Sequence, residues 1–189
     1  MIIGLAGYAQ SGKDEVARIL VEEYGFTRVA FADKIRELAY ELNPIVEGYE
    51  EYDLIQPVYL REWVDEKGWD RAKVKEPEIR RILQNLGVAG RKVFGDNHWI
   101  VEAYKGMDLD TNYVITDVRF KNEMEWVQAF NGNVWRIIRP GVGPVNDHIS
   151  ETELDSHEVD TKILNTGTLD DLRSIVRDLM ESTLGNEMH

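Results

Sequence analysis

The residues with the clearest chemistry stand near the N-terminus. Gly7-Tyr8-Ala9-Gln10-Ser11-Gly12-Lys13 has the form G-x-x-x-x-G-K. Glycines let such a loop curl until its amide N–H groups point inward. The helix that follows adds its positive N-terminal end, and Lys13 adds a full charge. Together they suit the β- and γ-phosphates of a nucleoside triphosphate. Asp14 stands where a Ser or Thr hydroxyl usually ligates Mg2+. Asp14 either holds the ion through water or caps the helix, and both readings stay open. Asp117 ends an apolar run in T-D-V-R-F-K-N-E. An acid at a strand end beside a phosphate loop suits the Mg2+ shell or its waters, and Arg119 is placed to reach a phosphate. Arg139 closes another strand and leads into a Gly/Pro segment, the composition of a lid carrying a phosphate-neutralising arginine. Arg136, three positions earlier, points to the opposite strand face and reads as a surface residue.

Other chemistries find less support. The chain has no cysteine, which removes thiolate metal sites, disulfides and a cysteine nucleophile. His148 falls in the Gly/Pro segment, and no pair of the four histidines has H-x-x-x-H spacing, so zinc is not expected. No G-x-S-x-G elbow supports a serine hydrolase. The acids Glu47, Glu50, Glu51 and Asp53 read as a solvated loop rather than a metal cluster. Trp126 and Trp135 read as core. Trp63 and Trp99 could wall a base pocket, although core packing fits them better.

The periodicity supplies elements to position these groups. Residues 1–6 form an apolar first strand, followed by a helix over 12–24 with Val16, Ile19, Leu20 and Tyr24 on one face. Further strands are predicted at 27–31, 112–116, 133–138 and 162–164, with helices at 122–130 and 169–184. Residues 43–75 show no evident strand; a helix is predicted near 57–66. Pro77 opens another helix towards Phe94, with Ile79, Ile82, Leu83 and Leu86 as its apolar stripe. Residues 98–104 are predicted helical. Strands alternating with helices imply an α/β fold with a mainly parallel five-stranded sheet flanked by helices. A single domain is expected, with core 1–31 and 106–189, a helical insertion 32–105 and a lid-like loop 140–160.

The charge is −13, from 22 basic and 35 acidic residues among 189. Residues 1–105 carry 15 basic and 19 acidic side chains, leaving 7 and 16 for the rest. Neither part is basic, which disfavours a nucleic acid polymer as partner. The longest uncharged run is the glycine-rich first twelve residues. That excludes a membrane-spanning helix of about 20 apolar residues. With no basic stretch before an apolar core, a secretory signal is not expected either. A cytoplasmic protein is the expectation.

Seven stretches resemble the phage-type deoxynucleoside monophosphate kinases, members of the P-loop nucleotide kinases, across nearly the whole chain. They are G-Y-A-Q-S-G-K-D (7–14), F-A-D-K-I-R (31–36), R-R-I-L-Q-N-L-G (80–87), D-V-R-F-K-N-E (117–123), R-I-I-R-P-G (136–141), H-I-S-E-T-E-L-D (148–155) and N-T-G-T-L-D-D-L (165–172). Asp14 fits the family's usual S-G-K-D-T, while Glu15 replaces its threonine and Val88 stands where L-G-T is commoner. The resemblance implies a P-loop fold with a helical acceptor-binding insertion and a lid. It makes Asp33, Arg36, Arg80, Arg81, Gln84 and Arg91 candidates for the deoxynucleoside monophosphate. Arg119 would bridge the two phosphate sites. Asn165, Gly167 and Thr168 would lie near adenine, and residues 7 and 9–15 would hold the ATP phosphates. ATP, Mg2+, host cytoplasm and a homodimer are implied too. Relatives acting on dephospho-coenzyme A or phosphomevalonate keep another phosphorylated acceptor open. The Asp14 and Glu15 replacements keep open a nucleotide-binding protein without turnover.

Overall fold

A computed structural model describes residues 1–51, 54–108 and 110–186. In chain order the elements are β1 (Ile2–Ala6), α1 (Lys13–Tyr24), β2 (Thr27–Val29), α2 (Asp33–Leu42), β3 (Ile45–Glu51), β4 (Leu54–Tyr59), α3 (Leu60–Lys75) and α4 (Pro77–Phe94). They continue with α5 (His98–Tyr104), β5 (Tyr113–Ile115), α6 (Lys121–Ala129), β6 (Asn133–Ile138), α7 (Ile149–Thr152), a 3-10 turn (Glu153–Ser156), β7 (Thr161–Leu164) and α8 (Leu169–Asn186). The chain divides into two compact units, residues 1–30 with 106–189, and residues 31–105.

The first unit is the α/β core. Its five strands lie in the order β2-β5-β1-β6-β7, and every pair is parallel. β1 is central, which explains its unbroken apolar sequence: both faces are covered by helices. Ile3, Leu5, Val16, Ile19, Leu20, Val114, Trp135, Ile137, Ile163, Leu172, Val176 and Met180 form the buried core. Parallel strands align their C-terminal ends, so the turns after β1, β5, β6 and β7 gather along one edge of the sheet. In open α/β sheets ligands bind at that edge.

The second unit carries helices α2–α5 and one departure from the sequence expectation. Within residues 43–75, where no strand is evident in the sequence, β3 and β4 pair antiparallel. Pro57 hides the pairing. A proline cannot donate to a ladder, but in a two-stranded sheet each strand has a free side that tolerates one. Pro57 pairs in register with Gly48. Asp53 of the supposed solvated acidic loop lies outside the described residues, and Glu47 sits within β3. The helix expected near 57–66 runs from 60 to 75, with a break at Gly68 (φ 73°). Ala39, Leu60, Ala72 and Ile79 are buried at the centre of this unit.

Two smaller corrections fall in the first unit. Residues 140–160 are not loop throughout, because α7 and the 3-10 turn occupy 149–156. Trp126 is only partly buried and stacks on Phe130 with ring centroids 4.8 Å apart, whereas Trp135 is core. Among the described residues no helix is long and apolar enough to cross a membrane.

Candidate functional site

The turn between β1 and α1, the candidate phosphate loop, is shaped by its backbone. Gly7 (φ 131°) and Gly12 (φ 109°) hold conformations that side chains resist. Both also lack room: a Cβ at Gly7 would lie 2.4 Å from the Ile137 carbonyl oxygen, and one at Gly12 would lie 2.5 Å from Asn165 Nδ2. Lys13 folds back over the loop and donates to the carbonyls of Gly7 and Tyr8, each at 2.7 Å. Burial, helped by the charge of Arg119, lowers its pKa to about 8. Ser11 is 1% exposed, and its Oγ has no hydrogen-bond partner among the described residues. Asn165 donates from Nδ2 to the Ser11 carbonyl at 2.9 Å, while its own N–H donates to Ile138 at 2.8 Å. It therefore ties the loop to the end of β6.

The turn after β5 supplies the second half of this site. Asp117 is 8% exposed, and Val118 donates to the Leu5 carbonyl at 3.0 Å, fixing the turn to β1. Arg119 N–H and Phe120 N–H both donate to Glu123 Oε2, at 2.7 and 3.0 Å. Burial, with the nearby Asp117 charge, pushes the Glu123 carboxyl up to about 8. The Arg119 guanidinium lies 3.7 Å from the carboxylate of Glu151, itself buried. Asp14 is exposed in the first turn of α1. Glu15 turns away from the loop and is paired to Arg18 through Nε at 3.0 Å.

Residues 149–156 are docked against these turns. Tyr8 OH donates to Asp155 at 2.6 Å, a bond that pushes the phenol up to about 12. Lys121 N–H donates to Glu153 at 2.9 Å. Arg136 donates to the carbonyls of Leu154 and His157, which makes it an anchor for this segment rather than a free surface residue. His148 Nδ1 accepts from Ser150 N–H at 3.2 Å and pairs with its hydroxyl at 2.8 Å, so its ring caps α7. Arg139 is exposed where the Gly/Pro segment begins.

A lysine-capped glycine loop thus follows the central strand, and an acid and an arginine stand on the turn after the adjacent strand. The family model for deoxynucleotide monophosphate kinase matches residues 71–176. The chain belongs to that family. A protein of Acanthamoeba polyphaga mimivirus, whose name assigns it provisionally to the same activity, is 28% identical over 189 residues, covering 92% of this chain and 93% of that protein. The deoxynucleotide monophosphate kinase of Escherichia phage RB69 is 33% identical over 109 residues, 54% of this chain. That match takes in only 44% of the phage protein. Among solved structures, the shikimate kinase from Acinetobacter baumannii in complex with shikimate aligns with a TM-score of 0.49 at 12% identity, over 100% of this chain and 95% of that one. Family membership supports a nucleotide kinase.

The acceptor candidates of this family member lie in the second unit. Arg36 donates to Asp33 at 2.8 Å on α2. On α4, Arg80, Gln84 and Arg91 recur at helical spacing along one flank of the apolar stripe. Arg81 does not join them. It is turned about 100° further round the helix, exposed, and held by Glu78 through Nε at 2.6 Å. Arg91 Nε lies 3.7 Å from Asp96. Trp99 is buried, with its Nε1 donating to the Gly87 carbonyl at 2.8 Å, and Trp63 packs on the second unit's core. Thr168 caps α8 by exchanging hydrogen bonds with Asp171, and Gly167 precedes it without room for a side chain.

Sequence reasoning missed Glu123, Glu151 and Asp155. Glu123 carried a signal, since an acid three positions into a helix reaches back to the N-cap amide. Glu151 and Asp155 act across 32 and 147 residues of chain, and no local pattern marks such contacts.

Proposed function

We propose that the protein transfers the γ-phosphoryl group of ATP to the phosphate of a deoxynucleoside monophosphate, giving the diphosphate and ADP. The observation that carries this reading is the pairing of the Lys13 loop with the Asp117–Arg119 turn on adjacent strand ends. The loop amides and Lys13 would hold the β- and γ-phosphates. The acceptor phosphate oxygen attacks phosphorus in line, and no covalent enzyme intermediate is needed. Lys13 and Arg119 neutralise charge that spreads over the transferring oxygens, with Arg139 added from the Gly/Pro segment. Asp33, Arg36, Arg80, Gln84 and Arg91 are assigned to the acceptor, and Arg81 is a weaker member of that set.

The donor set fits Mg2+. Among the described residues no three His, Asp or Glu side chains cluster as a dedicated metal cage. Mg2+ asks for less, since it keeps several waters and binds through one or two carboxylates together with substrate phosphates. Asp117 and Asp14 would hold it, and when bound it neutralises phosphate charge.

Coupled ADP release from ATP and Mg2+ tests the reading, with dTMP, dGMP, dCMP and dAMP each beside its ribonucleotide and a no-acceptor blank. Release that depends on a deoxynucleotide supports it. Release only with a non-nucleotide acceptor such as dephospho-coenzyme A moves the protein to another kinase class. ATP binding without release from any acceptor makes it a nucleotide sensor.

A further inference from the structure

Glu123 is a carboxylate in an unexpected place. It is 6% exposed, at the third residue of α6, with one oxygen accepting two backbone N–H groups. A Glu at the third helical position commonly reaches back to the N-cap amide. Here it is buried and takes the Arg119 amide as well. Taking an acidic side chain out of water is costly even when hydrogen bonds compensate part of it. The two amides it fixes belong to Arg119 and Phe120, and the next one, of Lys121, is held by Glu153. On the other side Val118 is bonded to β1. The main chain from 118 to 121 is therefore gripped at every residue. This is the stretch that carries Arg119, with Asp117 immediately before it.

We propose that Glu123 is a positioning residue for phosphoryl transfer: its carboxylate sets the main chain at Arg119 and so aims the guanidinium at the transferring phosphate. It touches no substrate. The inference rests on the kinase reading above, because it gives Arg119 a phosphate to meet. Its physical basis is the sensitivity of transfer to geometry, where a displacement of about 1 Å can cost on the order of 100-fold in rate.

The variants separate reach from charge. Glu123→Gln keeps an oxygen at the same distance to accept both N–H groups. Glu123→Asp keeps the carboxylate but falls one methylene short. Glu123→Ala removes both. Steady-state kcat and KM for the best deoxynucleotide, with Tm for each protein, are measured alone and in an Arg119→Ala background. The expected result is kcat within about 3-fold of wild type for Gln, and about 10-fold or more lower for Asp and Ala. In the Arg119→Ala background, Glu123→Asp should cause less than 2-fold further loss in kcat while still lowering Tm, since coupled residues are not additive. A folded Glu123→Asp with wild-type kcat and a lower Tm overturns the proposal, leaving a structural cap. Full multiplication of the two losses also overturns it, because Glu123 would then not act through Arg119. If Glu123→Ala does not fold, the Gln and Asp pair still decides. A wild type inactive with every acceptor overturns the kinase reading and this inference together, whereas an active wild type with an unaffected Asp variant overturns this one alone.

Discussion

Four arginines near the candidate sites are held differently in the two units. In the α/β core, Arg119 meets the buried Glu151, and Arg136 meets backbone carbonyls. Both partners come from a segment distant in sequence, so these contacts exist only in the assembled fold. In the second unit, Arg36 pairs with Asp33 and Arg81 with Glu78, each three residues away on the same helix. Such local pairs on a helix surface are weak and easily exchanged for another anion. The core thus organises the groups proposed to meet phosphate in advance, by backbone and tertiary contacts. The second unit offers cations on a helix face, loosely held. Substitutions in the core should therefore affect rate, and those in the second unit chiefly acceptor KM.

The largest effect tests the core side of this contrast. Lys13→Ala should abolish turnover, at least about 1,000-fold in kcat/KM, because the cradle loses its full charge. Its Tm should stay within a few degrees, since Lys13 is held only by two carbonyls of its own loop. A folded Lys13→Ala that keeps near-normal ADP release would remove the phosphate-loop assignment.

Next comes a pair of substitutions within α4 with opposite signs. A Cβ at Gly90 would sit 2.4 Å from Trp99 Cζ2, a rigid buried ring. Gly90→Ala should destabilise by about 1–3 kcal/mol, read by urea melts, because the overpacked ring cannot move aside. At Gly87 the nearest atom is the far end of Ile35, at 3.3 Å, which can turn. There Ala should stabilise by up to about 1 kcal/mol through helix propensity. Equal effects at both positions would mean that Trp99 does not hold α4 as described.

The acceptor side is sharpened by comparing two neighbouring arginines. Arg91→Ala should raise acceptor KM about 10-fold, with kcat changed far less. Arg81→Ala should change either by less than 2-fold, because Arg81 is turned away from the flank shared by Arg80, Gln84 and Arg91. Equal losses in steady-state kinetics would make Arg81 an equal member of the acceptor set and undo that division of the helix.

These tests follow the line between what the sequence could and could not reveal. The glycine-loop-lysine motif was legible because its chemistry is local: spacing alone demands the loop, and the apolar run before it demands a central strand. The parallel sheet followed from the alternation of strands and helices. The β3–β4 hairpin was not legible, because Pro57 and a dense set of acids mask its alternation. Glu15 is placed with the ATP phosphates by resemblance, yet Arg18 lies one helical turn away and pairs with it. The bond from Asn165 to the Ser11 carbonyl joins residues 154 apart, so no local pattern marks it. That last contact is tertiary, whereas the hairpin and the Glu15 pair are local features that other signals masked.

The smallest effect comes from the titration of Lys13. In the empty protein its ammonium is disfavoured by burial and by Arg119, so its pKa falls from 10.5 to about 8. Phosphate beside it favours the charged form, so ATP binding takes up a proton above that pH. Affinity should be full below about pH 8 and fall as pH rises, by at most tenfold per unit. This range lies above the second phosphate pKa of about 6, so the ligand's phosphates do not titrate there. Stability runs the other way. Between the lowered folded value and 10.5 the unfolded chain binds more protons at this lysine, so its contribution to the stability of the empty protein rises with pH. Calorimetric titration of ATP from pH 7.5 to 9.5, with urea melts over the same range, should show the two trends diverging. Lys13→Met should remove the difference from both. An ATP affinity that stays flat across that range would mean that the empty cradle does not depress its lysine, and that the core's phosphate site is less buried than the contrast between the units requires.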